Sequence, residues 1–340
     1  MLFSVIIPVY NKKDYLSECV DSILQQSLCK QGKVEIVLID DGSSDGSSQL
    51  CDELAEKYPR TIRVIHQKNS GSFLARRKGY SCAAGDYIVS CDADDKLSLD
   101  FFYEIRKILN NREAEIIFFN MFLWDGTEQK KYFNDVFTKG ETCQININQV
   151  IQSLLLDEVP AVTSMACKVV KKECLDIDKD YSKYSNVSMG DDTIQSVELF
   201  KPGQKFIYLN KSLYFYRTGS GMTAKFDEKY WEKFKIVLEV IKKRNEIWKI
   251  NDFEDWYCLK VINVACQSVT QSSYEKNIAY KKRRQYLIKI SDDPLYRKAS
   301  IKSRTVAKYK DIKKRYQLIN FLLYHKCYLL LDFILRLKSK

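Results

Sequence analysis

Three features of this 340-residue sequence predict an α/β chain, a doubly wound and mostly parallel sheet followed by a helical extension. Its strand-like stretches are continuous β-branched apolar runs rather than alternating ones, as strands buried on both faces require. They take turns with stretches of helical period, the order that builds a parallel sheet. The unusual polar clusters each fall at a strand's carboxyl end, where open α/β sheets bind ligands.

The first run is Phe3-Ser4-Val5-Ile6-Ile7-Pro8-Val9, ended by Tyr10 and Asn11. Leu16, Cys19, Val20, Ile23 and Leu24 then recur at helical spacing across 14–26. A second buried strand spans 34–40 and ends in Asp40-Asp41-Gly42-Ser43, two carboxylates and a tight turn. A helix over 46–58, a strand over 62–66, a helix over 71–84 and a strand over 86–91 complete the alternation. Further on, 98–110 and the stretch after Gly190 read as helices, and 205–216 as a strand.

The strand at 86–91 runs into Asp92-Ala93-Asp94-Asp95. Three carboxylates in four residues raise one another's pKa unless a cation sits among them. Oxygen clusters of this kind suit Mg²⁺ or Mn²⁺, ions that also hold a substrate phosphate. The same residues suit a solvated capping loop, with Asp95 or Ser98 as N-cap of the helix that follows.

Taken together and in this order, SVIIPVYN at 4–11, EIVLIDDGSSDGS at 35–47 and NSGSFLARRKGYSCAAGDYIVSCDADD at 69–95 resemble the nucleotide-binding half of family 2 inverting glycosyltransferases with the GT-A fold. Weaker likeness continues through 166–175, 190–200 and 213–223. The resemblance implies that Pro8, Val9 and Tyr10 line a base pocket and that Asp41 accepts a hydrogen bond from the base, although Pro8 also suits a plain strand terminator and Asp41 a turn or N-cap carboxylate. It implies that Gly71 and Arg76 approach the diphosphate, although Arg76 and Arg77 also suit a solvated helix face. Asp92, Ala93 and Asp94 match the family's Asp-x-Asp motif, with Asp94 the stronger metal ligand and Asp92 nearer the ribose.

Inverting transfer is a direct displacement, so a base must take the acceptor hydroxyl's proton opposite the leaving nucleotide. Gly190-Asp191-Asp192 resembles the family's acidic pair at a helix start. The usual first member is Glu, and Asp191 here is shorter. By position Asp192 is the base and Asp191 its neighbour, and the helix's positive end favours both ionised. An ordinary capping pair is the competing reading. Tyr216-Arg217, with Ser220 and Thr223, resembles a loop that closes over the donor, Arg217 then facing the diphosphate; a plain surface loop is the alternative.

A hydrophobic fraction of 45% supports a large core, read as a catalytic domain over 1–225, divided near 125, and a helical region over 226–340. Eleven cysteines without a CxxC pair read as reduced core thiols in the cytosol. Two histidines, His66 and His325, argue against zinc and against a His-based triad. Met1 leads directly into the first strand, so no signal peptide is expected. The absence of a GxGxxG or Walker-type loop disfavours dehydrogenase and ATPase readings.

Residues 297–340 contain 13 basic and 2 acidic residues, a net of +11 that equals the charge of the whole chain. An apolar segment, 318–337, follows the basic cluster but is interrupted by Asn320, His325, Lys326, Asp332 and Arg336, too often for a secure span. Basic residues beside an apolar helix suit the anionic inner face of a membrane, against the alternative of a docked helix with a solvated basic face. Nucleic acid is a poorer partner, because the apolar segment would have no role.

The sequence-level expectation is a metal-dependent inverting glycosyltransferase. It would use Mn²⁺ or Mg²⁺, a UDP-sugar or related donor, and a lipid-linked saccharide acceptor in surface-polysaccharide synthesis. A sugar nucleotidyltransferase is one alternative, although Asn11-Lys12-Lys13 offers no Gly-rich phosphate loop. An inactive homologue scaffolding a synthase complex is another, opposed by the intact carboxylates at 41, 92, 94 and 192.

Overall fold

The computed structural model describes residues 1–132, 137–184, 190–218, 227–272 and 278–337. The chain runs β1 (Phe3–Val9), α1 (Lys13–Leu24), α2 (Ser27–Lys30), β2 (Val34–Asp40), α3 (Ser47–Lys57), β3 (Ile62–His66), α4 (Ser72–Cys82), β4 (Tyr87–Ser90). It continues β5 (Lys96–Leu97), α5 (Phe101–Asn111), β6 (Ile116–Trp124), β7 (Gln129–Tyr132), β8 (Thr142–Ile145), α6 (Ile147–Leu156), α7 (Pro160–Thr163), β9 (Lys168–Lys171), α8 (Asp191–Leu199) and β10 (Phe206–Arg217). Six helices follow: α9 (Tyr230–Trp248), α10 (Phe253–Gln271), α11 (Tyr280–Ser291), α12 (Pro294–Ser303), α13 (Lys314–Tyr324) and α14 (Tyr328–Leu337).

The strand order is β3-β2-β1-β4-β9-β6-β10-β5, with β7 added to β6 and β8 to β10. β1 pairs in parallel with β2 and β4, β2 with β3, and β6 with β10. Val5, Ile6, Ile7 and Val9 have no exposed surface, nor have Ile36–Ile39, which is why these strands read as unbroken apolar runs. β9 enters antiparallel between β4 and β6 and joins the two parallel sets. Nothing in its four residues distinguishes that direction in sequence.

Two local features position the site. Gly79 lets α4 approach β1 so closely that a Cβ there would lie 2.1 Å from Ile6 Cγ2. β10 shifts register between Leu209 and Tyr214, a bulge that re-aims its last residues. Tyr216 and Arg217 are thus the end of a strand, not a loop after one. Ser220 and Thr223 lie outside the described residues.

The chain divides into two compact units, Met1–Val150 with Val159–Thr218, and Ile151–Glu158 with Gly219–Lys340. Residues 151–158 group with the second because Lys260, 4% exposed, donates to the Leu154 carbonyl (3.2 Å) and pairs with Asp157 (2.5 Å). In that unit Trp231, Val237, Leu238, Ile241, Leu259, Ile262 and Cys266 are buried, while Phe234 and Trp256, at matching helical spacing, are half-buried. Among the described residues no helix is long and apolar enough to cross a membrane. The segment 318–337 is two short helices broken at Lys326, whose φ is +59°. All eleven cysteines are free thiols.

Candidate active site

The carboxyl ends of β1, β2 and β4 meet at one end of the parallel set. Val9 is buried, Pro8 half-buried, and the Tyr10 ring 48% exposed where β1 ends. Asn11 ties this loop to the next: its Oδ1 accepts from Ser44 N (2.8 Å) and its N donates to Ser43 Oγ (3.1 Å). Asp41, 3% exposed, accepts from Ser70 N and Gly71 N, both at 2.8 Å, and from Gln67 Nε2 at 2.8 Å. Gly71 holds φ +88°, a conformation that suits glycine, and α4 begins at the next residue. Asp41 therefore fixes the entry to α4; Oδ1 takes three donors, Ser70 Oγ among them, and Oδ2 takes one, which leaves the spare lone pair on Oδ2.

One turn into α4 lies Arg76, whose side chain is only 7% exposed, which sets aside the solvated-face reading. Its Nη2 donates to Asp92 Oδ1 (2.6 Å), and its Nη1 to Asp192 Oδ1 (2.8 Å) and Asp191 Oδ2 (3.2 Å). The last two partners stand 116 and 115 residues away in sequence. Its Nε has no partner among the described residues. A buried guanidinium needs such partners, and three carboxylates this close need such a cation; each side explains the other. Arg77, by contrast, lies over the Tyr181 ring at 4.2 Å.

Asp92-Ala93-Asp94-Asp95 is a tight turn closed by Asp95 N to Asp92 O at 3.0 Å. Neither Asp95 nor Ser98 caps the next helix, which starts at Phe101 behind Asp100. Asp95 instead points inward, accepting from Tyr214 Oη (2.6 Å) and Arg217 N (2.7 Å). Burial and the charge of Asp92 push its carboxyl up to about 8. Tyr214 Oη also accepts from Asp92 N at 3.1 Å, so the β10 bulge serves both ends of the turn. Asp94 pairs with Lys12 Nζ at 2.5 Å. Arg217 Nε donates to the Asp94 carbonyl (2.8 Å) and Nη2 to Glu18 (2.6 Å), with the guanidinium 4.1 Å from the Trp124 ring.

Asp191 and Asp192 open α8 behind Gly190, a left-handed residue at φ +78°. Asp191 also accepts from Ser72 Oγ (3.0 Å), and Asp192 Oδ2 from Met165 N (3.2 Å). Burial pushes the Asp192 carboxyl up to about 6 against the pull of Arg76, with Asp191 and Asp92 adding to the rise. Behind it lies Lys168, fully buried, bonded to Ser196 Oγ (3.0 Å) and to the Ser164 carbonyl. Burial draws this ammonium down to about 7, opposed by the charge of Asp192.

The structure therefore brings Arg76, Asp92, Asp191 and Asp192 into one cluster, with Asp94 and Arg217 joined through the turn. Asp41 and Gly71 lie one helical turn before Arg76. Sequence reading missed Lys12, Glu18, Lys168 and the inward role of Asp95. Lys168 carried one signal, a lysine within the otherwise apolar run 165–170. Among the described residues no three His, Cys, Asp or Glu side chains could hold a metal ion by themselves. Asp92 and Asp94, 34% and 15% exposed, still fit a hard ion that takes one or two carboxylates and completes its shell from phosphate and water.

Residues 4–175 match the sequence model of Glycosyl transferase family 2. The chain is 30% identical over 251 residues to glycosyltransferase GlyG of Streptococcus pneumoniae, covering 72% of this chain and 79% of that one. It is 26% identical to minor teichoic acid biosynthesis protein GgaB of Bacillus subtilis, over 72% of this chain but 27% of that protein. In fold it is similar to S. aureus TarS 1-349 in complex with UDP-GlcNAc, with TM-score 0.57, 18% identity and 92% of both chains covered. It is also similar to a Pyrobaculum calidifontis mannosyltransferase in complex with GDP-Man and Mn²⁺, with TM-score 0.53, 15% identity, and 99% and 87% covered. The extent of the family match, together with GlyG and the shared sheet, makes this chain a family 2 glycosyltransferase with the GT-A fold.

Proposed function

We propose that the chain is an inverting, metal-dependent transferase that moves a sugar from a nucleoside-diphosphate sugar, a UDP-sugar first, to a hydroxyl of a saccharide acceptor. The observation that carries this reading is Arg76, which joins the donor-side carboxylate Asp92 to the helix-start pair Asp191 and Asp192. Asp192 takes the acceptor proton as the hydroxyl oxygen bonds to the anomeric carbon. The bond from that carbon to the diphosphate oxygen breaks, and the nucleoside diphosphate leaves with the electron pair. A carboxyl near pKa 6 is ionised at neutral pH yet basic enough to accept that proton.

On the donor side, Pro8–Tyr10 and Asp41 would border the base, with Gly71 and Arg76 approaching the diphosphate. Asp94 and Asp92 would hold Mn²⁺ or Mg²⁺, which when bound neutralises diphosphate charge. Arg217, fixed on the turn's carbonyl, places its own charge on the same side. The UDP-GlcNAc in TarS and the Mn²⁺ in the mannosyltransferase support the donor class and the ion. GgaB supports surface-polysaccharide synthesis, and the basic region 297–340 a lipid-linked acceptor at the inner membrane face. No observation favours a nucleotidyltransferase.

The test is donor hydrolysis without acceptor, across UDP- and GDP-sugars, with Mn²⁺, Mg²⁺ or EDTA. Slow, metal-dependent release of nucleoside diphosphate from at least one donor is the expected result. Release from none of them, with no donor-induced rise in melting temperature, would refute the reading.

A further inference from the structure

Helix α14 is apolar on two faces. Tyr328, Leu331 and Leu335 are buried on one, together with Asp332, whose carboxylate takes a fork from Arg283 (Nε–Oδ1 2.6 Å, Nη2–Oδ2 2.9 Å). That pair is itself buried and fixes the helix's rotation, because turning α14 would strand both charges. The other face carries Leu329, Leu330, Phe333 and Leu337, at 72, 51, 60 and 59% exposure and at helical spacing. Half of the fourteen exposed large hydrophobic residues among those described fall between Ile301 and Leu337, Phe321 of α13 among them. A soluble surface rarely gathers so many into one segment.

We propose that this outer face of α14 is the surface by which the protein lies on an anionic lipid headgroup layer, a docking mode that rests on the reading of 297–340 as membrane-facing. Three observations favour lipid over another protein. The segment 297–340 carries the chain's whole net charge, +11, while the rest balances to zero; anionic lipid complements it. A second copy packed face to face by two-fold symmetry would set two such regions against each other. At ten residues, roughly 15 Å, α14 is half the length of a span and suits the interface plane. Lys326 and Arg336, half exposed, flank the face and pair with Asp292 (2.6 Å) and Asp332 (3.7 Å).

The test is flotation of the full chain with phosphatidylcholine vesicles, with and without phosphatidylglycerol. Wild type should float with the anionic vesicles only, and less at high salt. Leu330→Ser combined with Phe333→Ser should weaken that binding about tenfold or more while melting temperature and nucleotide-sugar binding stay unchanged. Should the double variant misfold, Phe333→Cys in a Cys327→Ser background, labelled with an environment-sensitive dye, replaces it, its emission shifting to the blue on anionic vesicles. Wild type that ignores anionic vesicles at low salt, a folded double variant that floats like wild type, or a dye that does not shift overturns the proposal. A dimer in sedimentation that the double variant abolishes, without vesicle binding, assigns the face to a second copy. Donor binding is read on the same samples, so failure of the glycosyltransferase reading shows separately.

Discussion

Arg76 Nη1 lies 2.8 Å from Asp192 Oδ1, and Nη2 of the same guanidinium lies 2.6 Å from Asp92 Oδ1. One buried cation thus sets the spacing between a carboxylate at the end of β4 and another at the start of α8. Arg can do this and Lys cannot, because the planar fork presents donors in fixed directions. The relationship makes the two carboxylates separable in experiment.

Asp192→Asn keeps the shape and can still accept from Arg76, but cannot take a proton. Transfer should fall by about 10²–10⁴, the scale of a general base, with donor affinity within a few-fold of wild type. Asp191→Asn should cost less. Near-normal transfer by Asp192→Asn beside a dead Asp191→Asn would move the base by one residue.

The acid limb of the transfer rate should lie near pH 6, since the base works ionised and its carboxyl is held up at about 6. Below that limb the rate should drop tenfold per pH unit. Lys168→Met removes a buried positive charge behind Asp192, so the limb should move to higher pH and kcat should fall while donor KM holds. Arg76, Asp191 and Asp92 also face Asp192 and remain in place. An unmoved limb would leave Lys168 with a packing role alone.

Asp94→Ala should remove the rise in melting temperature that a UDP-sugar gives with Mn²⁺, because the diphosphate loses its counter-ion's anchor. The fold should survive, since the substitution relieves repulsion on Asp95 and the Lys12 ammonium it leaves is part-exposed to water. An unchanged, EDTA-resistant donor shift would argue against Asp94 as a ligand.

Gly79→Ala tests the packing that carries Arg76. A methyl group 2.1 Å from the stiff Ile6 Cγ2 must push α4 off β1, at a cost of about 1–3 kcal/mol. Chemical denaturation should show that loss, and wild-type stability would mean α4 adjusts freely.

The first half of the fold was legible because its strands are buried on both faces, and helical period alternates with them through residue 91. The carboxylates stood out because they fall at strand and helix ends, and the structure gathers Asp92, Asp191 and Asp192 around Arg76. Direction and long-range pairing were not. Four residues, Lys168–Lys171, cannot declare themselves antiparallel, and the bulge that turns Tyr214 and Arg217 onto the acidic turn has no signature in the sequence. Arg76 read as a possible surface residue because its partners lie more than a hundred positions away.

That separation sets the order in which the carboxylate cluster assembles during synthesis. Residues 1–125 hold the parallel strands β1–β4 and most of the donor side, and can gather as soon as they emerge. Asp191 and Asp192 are absent until α8 is made, and the Asp92–Asp95 turn lacks its bonds to Tyr214 and Arg217 until β10 arrives. At about 5–20 residues per second, the interval from residue 125 to residue 217 is roughly 5–18 s. Through that interval a nascent chain has Arg76 and Asp92 but neither Asp191 nor Asp192, so the guanidinium waits for two of its three carboxylates.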